Sequence, residues 1–472
     1  MSTNTSVCSF AAKYRATAPY HFFLTPVYNE PATYNGQHYT VSFHEIMDRA
    51  LGELVECFHI STAIDLEFIF SQYKRASQKP RVTLIYCHNL TFNDSDSDSN
   101  SKLDFDSEVL DIDYKQYKKT HREGHMFSNL SILKYRDDKI RLVISTASLC
   151  FEDWNRGIQG LWVSPFLPLL PVDADDTDGE SVTNFKRDFI EYLSEHKEPQ
   201  VFGWLSLLYR TDFSSVKVFF LGSVPGTHQG PALNLWGRNK LKKILSEHAV
   251  LPENARDWPI VAQTHDLGYT GETYFNWLNY NVQAMAMEKD KKIIYTPEFK
   301  LLYPSKKDVP TELEEMSHCY EKDFYLKQQW IKEYLHQWKS EKIRRLQVFP
   351  SQFSCYTRIS PDGTKIPWFV LTSMSMLRNS WGQFLRRVKE PHLYITRYEA
   401  GVVFVPKFLV KQDTFPIKQN SSSKMPIFLL PFDLPLTPYE PSDEPVCKPS
   451  VKNESSSALE DELIEKIALS HT

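Results

Sequence analysis

The chain has 472 residues, 42% hydrophobic and 14% aromatic, with a formal net charge of −5 from 54 basic and 59 acidic side chains. That length exceeds one ordinary core and predicts two domains of about 200 residues each, and the charge argues against a whole-surface nucleic-acid binder while leaving room for a local basic groove. The seven cysteines are odd in number and scattered, with no CxxC pair. No run approaches the roughly 20 apolar residues of a membrane span, and the N-terminus lacks the apolar core of a signal peptide, so a soluble intracellular chain without structural zinc is expected.

Residues 1–18 are polar and expected to be flexible. A first strand is predicted over 20–25. Ser42-Phe43-His44-Glu45 reads as a capping box, and the helix it opens would carry Ile46, Ala50, Leu51, Leu54, Val55 and Phe58 on one face. A second helix is predicted from Asp65 toward Tyr73, then a buried strand from Val82 to Cys87. This alternation points to a layered α/β fold. Residues 93–107, NDSDSDSNSKLDFDS, read as a solvated acidic loop, with a phosphorylation cluster as the sharper alternative. The run YKQYKKTHR (114–122) reads as a solvated strand or loop, or as a strip facing a phosphate backbone. Leu130–Tyr135 and Ile140–Thr146 are apolar strands joined by the charged turn Arg136-Asp137-Asp138-Lys139. The small-residue elbow Ser145-Thr146-Ala147-Ser148 follows, and then Trp154.

A helix is predicted over 185–193, and the pattern restarts near residue 200. Val216–Leu221 is the next strand, and Gly222-Ser223-Val224-Pro225-Gly226 is a turn by composition. Trp236-Gly237 leads into a helix with Leu241, Ile244 and Leu245 inward and Arg238, Lys240, Lys242 and Lys243 outward. Strands are predicted over 258–261, 353–359, 368–371, 402–405 and 427–430, and an amphipathic helix over 312–340. The elbow recurs at Thr372-Ser373-Met374-Ser375, with Trp381 behind it. Ser148 to Trp154 and Ser375 to Trp381 are both six residues apart. The domains are therefore set at 19–200 and 201–440, with a disordered Pro-, Ser- and Glu-rich tail over 441–472. One motif in each half implies two similar domains about a pseudo-twofold axis.

The segments Asp153-Trp154, Gln159-Gly160-Leu161-Trp162-Val163-Ser164-Pro165, Leu221 to Gly226, Trp236-Gly237 with Leu241 to Leu245, Trp258 to Gln263 and Tyr398 to Phe404 resemble the tyrosyl-DNA phosphodiesterase family, a branch of the phospholipase D superfamily. The resemblance runs in order from about Pro19 to Pro435. It implies two α/β/α sandwich domains sharing a central site. It also implies metal-free and cofactor-free removal of tyrosine from a DNA 3′-phosphate, and action in the nucleus, with the cytoplasm as the other possible compartment. In the family each half supplies His-x-Lys and an elbow Asn. One His attacks phosphorus, the other is the general acid and then base, and the Lys and Asn pairs bind the nonbridging oxygens.

All six positions differ here. Phe127 and Asn129 stand for the first His and Lys, Ser148 for the first Asn, and Gln352, Ser354 and Ser375 for the second set. Gln159 and Glu399 persist as supporting polar residues. His125 is the candidate if the alignment slips, although Phe127 then falls where Lys belongs. The sequence therefore favours a pseudoenzyme that binds single-stranded or duplex DNA 3′ ends weakly or serves as a protein-interaction scaffold. An active phosphodiesterase with a shifted or divergent site is the alternative. Lys118, Lys119, Lys242, Lys243, Arg386 and Arg387 are the candidate phosphate contacts, and solvated faces are the bland reading of each. Arg344-Arg345 is read the same way. His318-Cys319 is too small a set for a metal. His265-Asp266 reads as an ordinary loop hydrogen bond or an acid/base pair. A monomer is expected.

Overall fold

A computed structural model describes residues 9–28, 30–34, 37–90, 114–118 (backbone only), 124–175, 177–251, 257–286, 297–307, 309, 320–340, 353–385, 389–419 and 425–448. Expectations for 93–107, 312–319, Arg344-Arg345 and 449–472 lie outside the described residues. The chain forms two compact units, Met1–Phe220 and Leu221–Thr472.

The first unit is built on a mixed sheet of β1 (Phe22–Leu24), β2 (Leu54–Ile64), β3 (Arg81–Asn89), β4 (Tyr114–Lys118), β5 (Asn129–Tyr135), β6 (Lys139–Ser145) and β7 (Gly160–Val163). Their order is β1-β7-β6-β5-β2-β3-β4. β2, β3 and β4 run parallel, and the remaining neighbours are antiparallel. α1 (Leu66–Arg75) connects β2 to β3 and starts where Asp65 accepts the Phe68 amide at 3.1 Å. That bond fills an orphan donor of the first turn. α2 (Phe185–Ser194) and α3 (Pro199–Tyr209) follow the sheet. The core gathers Phe43, Ile46, Leu54, Ile69, Tyr73, Leu133 and Trp154. Side chains of this kind each stabilise by about 1.5–3 kcal/mol when fully buried.

The second unit repeats this plan. After β8 (Phe219–Ser223) and α4 (Gly237–His248) come β9 (Ile260–Gln263), β10 (Phe299–Tyr303), β11 (Leu335–Gln337), β12 (Ser354–Arg358), β13 (Phe369–Thr372), β14 (Arg397–Phe404) and β15 (Thr437–Pro438). The order is β8-β14-β13-β12-β9-β10-β11-β15. Apart from the added β15, each strand occupies the place of its counterpart seven numbers earlier. Again β9, β10 and β11 run parallel and β9, β12, β13 and β14 run antiparallel.

Several expectations need correction. The capping box forms, with the Ser42 amide donating to Glu45 Oε2 at 2.8 Å. The helix behind it, however, ends at Ile46, and Leu54 to Phe58 lie in β2. Asp48, at ψ 132°, leaves helical geometry, and Gly52, at φ +136°, turns the chain again before β2. Residues 10–18 are not loose. Phe10–Ala16 is a helix whose Phe10 is buried and whose Lys13 ammonium meets Glu45 Oε1 at 2.6 Å.

The first unit extends past residue 200. Thr183 Oγ1 donates to the Val218 carbonyl, and Phe185 and Phe189 pack edge-on against Phe220. Within 320–340 the chain is a short helix (Lys322–Lys327), a 3-10 turn (Gln329–Tyr334) and β11, not one long helix. Residues 427–430 form no strand, although Phe428 is buried against Phe369, Phe404 and Phe415.

Arg238 and Lys240 turn inward. The Arg238 guanidinium lies 4.5 Å from the Phe384 ring centroid and 5.7 Å from that of Tyr280, and burial lowers its pKa to about 10. Long cationic stems bury readily when the head finds a π face. Residues 441–448 pack on the second unit, with Asp443 and Val446 buried.

Candidate functional site

The two elbows make matching hydrogen bonds. Register pairs Asn129 with Ser145 and Ser354 with Thr372, so the two candidate positions open their hairpins in the same way. Opposite each of them the last strand residue caps the elbow. The Ala147 amide donates to Ser145 Oγ at 2.9 Å, and the Met374 amide donates to Thr372 Oγ1 at 3.1 Å. The next hydroxyl reaches the neighbouring strand. Thr146 Oγ1 donates to Gln159 Oε1 at 2.6 Å, and Ser373 Oγ donates to Glu399 Oε2. Amides of the same two residues bond the Gly160 and Ala400 carbonyls. Each elbow then opens a short helix, Phe151–Asn155 or Arg378–Trp381, that buries Trp154 or Trp381. Gln159 and Glu399 thus hold their elbows in place from the side.

Asn129 sits at the start of β5 with its amide engaged on both sides. Its Oδ1 accepts the Thr62 amide at 2.9 Å and lies 3.0 Å from Ser61 Oγ, and its Nδ2 donates to the Thr146 carbonyl at 3.1 Å. The residue therefore ties β2, β5 and the elbow together. Ser148 sits on the elbow, and its amide donates to Asp153 Oδ2 at 2.6 Å. Burial raises the Asp153 pKa to about 6 against the pull of that bond. Phe127 is half-buried and His125 exposed.

The second copy has a similar anatomy, with Ser354 at the place of Asn129. Ser354 Oγ lies 3.3 Å from both Thr264 Oγ1 and Ser375 Oγ. Ser375 Oγ lies 3.1 Å from His265 Nδ1. Thr264 Oγ1 donates to the Asp266 carbonyl at 2.7 Å, as Ser61 Oγ donates to the Ala63 carbonyl at 2.6 Å. Thr264 and His265 therefore occupy the places of Ser61 and Thr62. Burial, with repulsion from Arg397 and Lys448, lowers the His265 pKa to about 4, so its ring is neutral at pH 7. Burial raises Asp266 to about 6 and also raises Glu399, whose Oε1 accepts from Ser380 Oγ at 2.7 Å. A chain of neutral hydroxyls ending in a neutral imidazole can exchange hydrogen bonds with an anion. It carries no full positive charge to one.

Sequence reasoning named Ser354, Ser375 and His265 separately but missed that they touch. The signal was the repeat itself, because Thr264-His265-Asp266 follows β9 as Ser61-Thr62-Ala63 ends β2. It named Thr146 and Ser373 as elbow residues but not the bonds their hydroxyls make to Gln159 and Glu399. Among the phosphate-contact candidates, Lys242 and Lys243 are exposed on α4. Only the backbone of Lys118 is described, at the end of β4. Lys119, Gln352, Arg386 and Arg387 lie outside the described residues. Among the described residues no group of three or more His, Cys, Asp or Glu could hold a metal ion, and no helix is long and apolar enough to cross a membrane.

Residues 21–440 match the family model described as tyrosyl-DNA phosphodiesterase. The chain is 36% identical over 449 residues to tyrosyl-DNA phosphodiesterase 1 of Drosophila melanogaster, covering 92% of this chain and 74% of that protein. It is 25% identical over 411 residues to a probable tyrosyl-DNA phosphodiesterase of Caenorhabditis elegans, covering 84% and 83%. Its fold is phospholipase D-like and matches the crystal structure of the yeast tyrosyl-DNA phosphodiesterase with a TM-score of 0.65, at 14% identity, over 92% of this chain and 99% of that one. With the repeat, the fold and a match across most of its length in agreement, the chain belongs to the tyrosyl-DNA phosphodiesterase family.

Proposed function

We propose that this chain is a non-hydrolysing member of its family that either holds DNA 3′ ends or serves as a protein-interaction scaffold in DNA repair. What supports the reading is that Phe127, Asn129, Ser148, Gln352, Ser354 and Ser375 stand where the family resemblance implies two His-x-Lys pairs and two elbow Asn. Attack on phosphorus needs a nucleophile, departure of a tyrosyl oxygen needs a proton, and the transition state needs cationic donors. Phe127 supplies no nucleophile and Gln352 no titratable proton. Asn129 already spends its amide on Thr62 and Thr146. Loss of such a set costs about 10⁶ in rate.

Affinity for DNA rests on surface cations such as Lys242 and Lys243 and on neutral donors at the elbows. It is therefore weak and falls steeply between low and physiological salt. A nuclear location goes with this reading.

A second reading has one observation in its favour. His265 Nδ1 lies 3.1 Å from Ser375 Oγ, the spacing of a hydroxyl and its base. On that reading a divergent site retains slow hydrolysis. The deciding experiment is a gel shift with 3′-phosphotyrosyl single-stranded DNA beside a cleavage assay at high protein concentration, with an active family member as control. The expected result is salt-sensitive binding, or none, without cleavage. Turnover within about a thousandfold of the control would overturn the non-hydrolysing reading, given the loss expected from the missing groups. His265→Ala and His125→Ala then decide which site carries it.

A further inference from the structure

The second unit carries a cavity of about 380 Å³ lined by Tyr274, Phe275, Phe299, Tyr334, Glu298 and Glu333, with Pro297 and His336. It shares no residue with either elbow. Its walls are dense in aromatic rings. Tyr274 and Tyr334 stack with centroids 5.1 Å apart and planes 12° apart. Trp330 stands edge-on behind both, at 6.3 Å and 5.9 Å. Phe275 meets Tyr274 edge-on at 5.7 Å and is 72% exposed. Phe299 lies 6.1 Å from Tyr334.

The polar groups on this wall are mostly acceptors. Glu298 and Glu333 are both exposed at the rim. Lys300 stands 3.3 Å from Glu298 and neutralises part of its charge. Burial, with repulsion from Lys300, lowers the pKa of His336, so its ring adds no positive charge at pH 7.

π faces with carboxylates at the rim are the chemistry that recognises an organic cation. The ring quadrupoles attract a diffuse positive charge that needs no hydrogen bonds, and the carboxylates add long-range attraction. A hydrated ammonium would have to shed water to enter, whereas a quaternary ammonium carries little. We propose that this cavity binds a quaternary ammonium group, borne either by a small choline-like molecule or by a trimethylated lysine side chain. The site is separate from the elbows, so the proposal stands whatever the chain does with DNA.

The test is titration of the full chain, by calorimetry, with choline and with 3,3-dimethylbutan-1-ol, in which carbon replaces the charged nitrogen at nearly the same shape. Choline should bind about tenfold more tightly than the neutral alcohol. Tyr334→Ala should weaken choline about tenfold. Glu333→Gln, an exposed change with no fold consequence, should weaken it about threefold and leave the unfolding midpoint unchanged. A short peptide bearing one trimethyllysine separates the two sources. Binding tighter than choline assigns a protein ligand, and weaker binding assigns a small molecule. Equal binding of choline and the alcohol, no binding of either cation at about 10 mM, or affinities untouched by both substitutions would overturn the proposal.

Discussion

His59 shows how the smallest parts of this fold set its response to pH. Its ring is fully buried between Ser131 Oγ at 2.6 Å and Tyr73 Oη at 2.7 Å, and burial pushes its pKa down to about 3. The folded chain keeps this ring neutral while the unfolded chain protonates it near pH 6.5. Its contribution is thus complete above that pH and is lost as pH falls toward 3, at about 1.4 kcal/mol per pH unit. His59→Gln should flatten the fall of the unfolding midpoint between pH 6.5 and 4, even if the variant starts lower. An unchanged slope would mean that His59 is not the proton acceptor. Asp153 works in the opposite sense. Burial raises its pKa to about 6, so its contribution is complete below about pH 4 and is lost as pH rises through 6. Asp153→Asn keeps an acceptor for the Ser148 amide and removes the buried charge. Its midpoint relative to the parent should improve steadily from pH 4 to pH 7, which thermal melts at each pH would measure.

Glycines show that the same substitution can have either sign, depending on the element that carries it. Gly237 opens α4 at φ +55°, and a Cβ there would stand 2.6 Å from the Trp381 carbonyl oxygen. Gly203 lies inside α3, where a Cβ meets nothing within 4 Å. Gly237→Ala should destabilise by about 2–3 kcal/mol, since a backbone oxygen cannot swing aside. Gly203→Ala should stabilise by up to about 1 kcal/mol, by helix propensity alone. Denaturant unfolding of both variants tests the pair, and equal effects would contradict it. Such local clashes also explain what was legible in the sequence. The hairpins β5–β6 and β12–β13, the elbows and their tryptophans were readable because alternation and exact spacing occur twice. β2 was not, because Ile46, Leu54 and Phe58 also fit a helical face, which Asp48 at ψ 132° and Gly52 at φ +136° break. The inward turn of Arg238 and Lys240 was equally hidden, since charge alone says nothing about a ring waiting for a guanidinium. The contacts among Thr264, Ser354, Ser375 and His265 depend on register between β9, β12 and the elbow, which no single stretch of sequence encodes.

At the scale of the whole chain, the repeat gives each unit the same central strand order, and the second adds two small sheets and, at its end, one more strand and a packed segment. β15 extends the sheet beyond β11, with Thr437 opposite Gln337. The chain then runs on to Lys448 against the same unit. Pro445 bridges Ser305, and Lys448 bridges Glu321. Val446 is 1% exposed. Asp443 is fully buried, and the Lys307 ammonium at 2.6 Å, the Glu440 amide and Gln337 together outweigh its burial and hold its pKa at about 2. Composition alone would cut this chain at Glu440, because Pro-, Ser- and Glu-rich stretches rarely bury enough to order themselves. Here the burial is supplied by a sheet edge that the stretch covers. A chain ending at Glu440 should therefore lose the Val446 contact, a cost on the order of 1.5–3 kcal/mol, and the Lys307–Asp443 ion pair with it. A chain ending at Lys448 should keep the full midpoint, since residues 449–472 are polar and acidic by composition. Thermal and denaturant unfolding of the two truncations against the full chain separate the cases. Equal stability of all three would show that 441–448 contributes nothing, and a loss already present at Lys448 would place further stabilising contacts beyond it.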